Sequence, residues 1–163
     1  MFVMGEEALA MGAAVLALAL GAGAGSDAKQ HASGTFEVKP TPVTGGDNGV
    51  ASGRLTVAKT FAGDLIGTSK GDMWTAETAV QGSAGYVAIE KVEGTLNGRK
   101  GAFTLLHQGT MRRGGDFQMR IVVVPESGTG ELEGISGVMT IRIEKGGAHF
   151  YDFDYTLSPA PPK

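Results

Sequence analysis

The chain contains no cysteine. Disulfides, thiolate metal sites and cysteine nucleophiles are therefore excluded. It also lacks an excess of positive charge: 14 Lys and Arg face 17 Asp and Glu, for a net charge of −3. The basic residues are scattered, which argues against nucleic acid and against anionic membrane surfaces as partners. No apolar run is long enough to span a bilayer. Residues 8–20 (ALAMGAAVLALAL) come nearest and are too short. That run precedes Gly21-Ala22-Gly23-Ala24-Gly25, where Ala22-x-Ala24 fits a small-residue cleavage site, although Glu6 and Glu7 stand where a leader carries Lys or Arg. The reading is a signal-peptide-like or disordered leader over residues 1–32. Export to the periplasm or beyond would follow cleavage near Ala24; a leader without that role leaves the chain cytoplasmic. No cysteine follows the run to take a lipid anchor.

Helical periodicity is also almost absent from residue 34 onward. Glycine is plentiful instead, 27 of 163 residues, without a G-X-Y period. Short runs of Val, Ile, Thr and Phe alternate with Gly, Asp, Asn and Ser, the pattern of strands and tight turns. Alternation places strands at 35–39, 54–61, 64–75, 82–93, 101–111, 117–124, 138–143 and 149–157, with a Pro/Gly-rich loop over 40–53. Leu55, Val57 and Phe61 share one face; so do Phe103, Leu105 and His107, and so do His149, Tyr151, Phe153 and Tyr155. About eight strands joined by short glycine turns predict an all-β, antiparallel meander over 33–158, with a tail at 159–163. Closing the sheet into a barrel removes its edges and leaves room for side chains or one small ligand. A two-sheet sandwich is the alternative.

Three strings carry a family resemblance. GSAGYVAIEKVEGTLNGRKGAFTLLHQGTM, VVVPESGTGELEGISGVMTI and HFYDFDYTL resemble, in order, the bacterial domain-of-unknown-function family 3224, and the resemblance as a whole covers about residues 34–157. Its Gly-Thr-Leu-x-Gly-Arg-x-Gly-x-Phe pattern falls on Gly94, Thr95, Leu96, Gly98, Arg99, Gly101 and Phe103, and its histidine on His107. Its Ser-Gly-Thr-Gly-x-Leu runs from Ser127 to Leu132. Asn97 departs from the pattern, standing where close relatives carry histidine, so that turn is no obligatory ligand. The resemblance implies an eight-stranded antiparallel barrel similar to that of allene oxide cyclase. It implies no chemistry, because a fold does not set a function.

His107 is the leading candidate site residue, an imidazole on an apolar face. Its plain structural reading is a ring bonded to a tyrosine or a backbone carbonyl; its functional reading is a ligand contact or an acid–base group. Glu90, one hairpin away, is the tentative catalytic partner. Facing inward it needs Arg99, His107 or a tyrosine, and desolvation would make it a base of raised pKa; facing outward it is an ordinary surface carboxylate. Tyr86 shares the face of Glu90. His149, Tyr151 and Tyr155 are aromatic core on one reading and ligand-orienting groups on the other. Phe103 and Leu105 complete the expected ligand wall, with Arg99 a turn residue able to tie a carboxylate. No metal or cofactor is expected, since two separated histidines without a His-x-His pair assemble a metal site poorly. Ser127-Gly128-Thr129-Gly130 is a turn, neither a phosphate cradle nor a nucleophile elbow.

Three functional readings follow. A binding barrel would hold a small apolar or amphipathic molecule. A cofactor-free isomerase or cyclase would resemble allene oxide cyclase and move a proton with His107 or Glu90. A structural or partner-binding module would have a fully packed interior and use the 40–53 loop.

Overall fold

A computed structural model describes residues 28–47 and 49–158. The leader expected ahead of the domain falls, up to residue 27, outside the described residues, as does the 159–163 tail. Nine strands form one sheet: β1 (Gln30–Pro42), β2 (Gly53–Gly63), β3 (Leu65–Glu77), β4 (Ala84–Leu96), β5 (Arg99–Met111), β6 (Phe117–Val123), β7 (Thr129–Gly130), β8 (Ile135–Ile143) and β9 (His149–Leu157). The order β4-β3-β2-β1-β9-β8-β6-β5 closes through a β4–β5 ladder, so eight strands make a barrel in which all neighbours are antiparallel. The two residues of β7 pair with Gly101 and Ala102 at one end of β5. The described residues contain no helix, and hence none long and apolar enough to cross a membrane.

Period-two alternation sets which residues point inward. On β9, Tyr151, Phe153 and Tyr155 are buried while Asp152 is exposed; on β5, Phe103, Leu105 and His107 are buried while Leu106 and Gln108 are exposed. The β4–β5 hairpin turns on Asn97-Gly98, both at positive φ (47° and 82°), the two-residue turn whose twist suits paired strands. Strands outrun their alternation. β1 begins at Gln30, taking in three residues expected in the leader, because Gln30 pairs with Tyr155. It runs on to Pro42 because Pro42 pairs with Leu55, so the expected 40–53 loop shortens to 43–52. A ladder holds such residues whatever their side chains.

One half of the barrel is solid. Phe103 and Phe153 stack at 5.6 Å and Phe153 and Tyr155 at 5.2 Å, with Leu65, Val92, Leu96 and Ile121 fully buried around them. The segment after β6 seals this end, with Leu132 buried beneath it. Ser127 ties that segment down, its hydroxyl donating to Val124 O at 2.6 Å and accepting from Thr104 N at 3.0 Å.

Candidate functional site

The other half is hollow. A cavity of about 300 Å³ opens at the end where β4 begins and β5 ends, at the small end of the usual range for ligand sites. Its walls include Val38 and Pro40 from β1, Phe117 and Met119 from β6, and Ile141 and Ile143 from β8. The β6–β8 ladder holds only Ile121↔Met139 and Val122↔Val138. Toward the mouth the two strands are unpaired, leaving an apolar side to the opening.

The floor is a polar band carried by four consecutive strands: Lys59 on β2, Ser69 on β3, Glu90 on β4 and His107 on β5. All four are buried, with exposures of 8%, 3%, 3% and 5%. Glu90 is the hub. Lys59 Nζ donates to its Oε2 at 2.7 Å, and the Ser69 hydroxyl donates to its Oε1. His107 Nε2 lies 2.9 Å from Oε2, but the ring N–H is poorly aimed at it. Among the described residues this nitrogen is the buried side-chain polar atom left without a hydrogen bond, although it sits at ion-pair distance. Gly71 stands directly across from Glu90, and a Cβ there would come within 3.2 Å of Glu90 Cβ. Its missing side chain lets the carboxylate reach across β3 to Lys59.

Burial alone would raise the Glu90 carboxyl. The His107 contact and the Lys59 charge outweigh it and hold the group down at about 2. This corrects the raised pKa expected for an inward Glu90: His107, one hairpin away, and then Lys59, from a strand two places away, reverse the direction that burial alone would give. A carboxylate so held is a weak base with both oxygens engaged.

Tyr86 lines the cavity above this band, its ring lying over Gly109, where a Cβ would meet the ring at 2.2 Å. Burial, and then the nearby Glu90 charge, push its hydroxyl above the ordinary range, so it remains a donor. His149 is half-buried at the cavity wall, 5.0 Å from the Phe36 ring. A larger hollow of about 870 Å³ beside the mouth shares Tyr86 and Met119 with the cavity, but Arg120 is its sole charged lining residue.

The structure thus brings together His107, Glu90, Tyr86 and His149. It places the other candidates elsewhere. Phe103 and Leu105 lie in the solid core. The Tyr151 hydroxyl accepts from Leu65 N at 2.8 Å, and the Tyr155 hydroxyl accepts from Asn97 Nδ2 at 2.9 Å and donates to Gln30 Oε1 at 3.1 Å. Both tyrosines are wired into the solid half. Arg99 is exposed beside the hairpin turn at the opposite end from the mouth. Lys59 and Ser69 were missed. Lys59 shares the parity of Leu55, Val57 and Phe61, so a charge interrupting an inward row was the available signal. No group of three or more His, Asp or Glu among the described residues could hold a metal ion.

A family model described as a protein of unknown function, DUF3224, matches residues 32–155. The chain belongs to the DUF3224 family. A solved DUF3224 protein of unknown function from Shewanella oneidensis MR-1 is 47% identical to this DUF3224 barrel. It superposes with a TM-score of 0.74 over 82% of this chain and 100% of that one. No curated protein matches the chain.

Proposed function

We propose that this DUF3224 protein is a binding barrel, holding one small apolar or amphipathic molecule in the open half with its polar part on the Lys59–Glu90–His107 floor. The observation that supports this is the pairing of an apolar-walled cavity with a buried ionic band at its base. Burying three ionisable side chains where large apolar ones would pack costs stability, and the hollow above them forfeits more. Native mass spectrometry of protein purified from its own host should show a small-molecule adduct. Empty protein that also fails to take up the apolar dye N-phenyl-1-naphthylamine would overturn the reading.

A cofactor-free isomerisation in the same cavity is the second reading, favoured by the approach of His107 to Glu90. With Glu90 so weak a base, His107 is the group that would move a proton, with Tyr86 as a hydrogen-bond donor. His107→Gln should then abolish turnover while dye uptake persists. Dye uptake without turnover of any test substrate leaves the protein a binder.

A further inference from the structure

The floor of the cavity has more hydrogens to donate than oxygens to receive them. A lysine ammonium carries three N–H groups. That of Lys59 is buried and gives one of them to Glu90. Its other near neighbours are the rings of Phe36 and Phe61, at 5.0 and 5.9 Å. Nε2 of His107 lacks an aligned acceptor. The Tyr86 hydroxyl, on the same cavity wall, makes no hydrogen bond within the described residues. Glu90, the one carboxylate of the cavity, is already taken on Oε1 by Ser69 and on Oε2 by Lys59.

Resting on the binding reading above, we infer that the ligand is a small monocarboxylate: an apolar skeleton bearing one carboxylate directed at Lys59, His107 and Tyr86. A carboxylate offers about four lone-pair sites, which matches the two spare N–H groups of Lys59 with one donor each from His107 and Tyr86. A ketone oxygen offers two and leaves donors stranded. An alcohol brings another hydrogen, and a cation meets the Lys59 ammonium. The skeleton lies against Val38, Met119 and Ile141 on the facing wall. Charge-assisted bonds in a buried site are the strong ones, so the head group should dominate selectivity.

The test is calorimetric titration of the full chain with octanoate, 2-octanone and 1-octanol, which share a tail and differ in the head. Octanoate should bind about tenfold tighter than 1-octanol, with 2-octanone between. The double substitution Lys59→Met with Glu90→Gln, which removes both charges together, should erase that advantage and leave 1-octanol within about twofold. Tyr86→Phe, which keeps the ring, should weaken octanoate about threefold and spare 1-octanol. 1-Octanol or 2-octanone binding as tightly as octanoate overturns the carboxylate and leaves the binding barrel standing. So does an octanoate advantage that survives both variants. No heat from any of the three, together with no dye uptake, overturns both.

Discussion

The two halves of the barrel use the same alternation to different ends. From Glu90 toward the Asn97-Gly98 turn, inward residues are large and touch: Phe103 on Phe153, Phe153 on Tyr155, Leu132 sealing the end. From Glu90 toward the mouth, the inward residues of the same strands surround space instead, and rim residues such as Phe117 and Ile143 are 49% and 60% exposed. Stability resides in the first half, where burying each large apolar side chain contributes about 1.5–3 kcal/mol. The second half is held open by strands anchored in the first. The ionic band lies on the boundary, where buried charges meet solid packing on one side and a cavity on the other.

The largest expected effect comes from cutting into the solid half. Phe153→Ala should cost about 4 kcal/mol by urea unfolding, whereas Met119→Ala at the cavity wall should cost about 1 kcal/mol. Equal costs would erase the distinction between the halves. At the boundary, Lys59→Met strands the Glu90 carboxylate and should cost about 3 kcal/mol, most of which returns when Glu90→Gln is added. A double variant no more stable than the single one would show that the pair is not the hub.

Acid should sharpen the same boundary. The Glu90 carboxyl is depressed from 4.5 to about 2 by the His107 contact and the Lys59 charge. Its contribution is therefore complete above pH 4.5 and is lost as pH falls through about 2. Wild-type unfolding free energy should decline across that window more steeply than that of the double variant. Parallel declines would assign the acid sensitivity to surface carboxylates. The smallest effect belongs to the outer surface. His31 is raised by its hydrogen bond to Asp154, so its contribution is present at low pH and lost as pH rises through its folded value. Both groups are exposed and solvent-screened. His31→Gln should leave the melting temperature nearly unchanged while flattening its small decline between mildly acidic and neutral pH.

Much of this barrel is written locally. Phe103-x-Leu105-x-His107 and Tyr151-x-Phe153-x-Tyr155 announce their inward faces, and Asn97-Gly98 announces its turn, because side-chain direction and turn chemistry are decided within a few residues. The candidate site is written only in part. His107 and Glu90 stand out as polar residues on inward rows, and Lys59 interrupts another. Nothing near Glu90 in the chain signals that its partner is 31 residues back, or that Gly71 clears the path. Tyr151 and Tyr155 show the converse. They sit on the right face, yet at the wrong depth to meet a ligand.

The amino-acid order alone determined where the eight barrel strands lie, their hairpin turns and the face each side chain takes, since an alternation of period two depends only on the pleat. Tertiary structure decided depth. Which inward residues meet at the same level, which end is sealed, and which ammonium finds the buried carboxylate depend on the register of eight strands closed on one another, and register is a relation between strands rather than a property of any one.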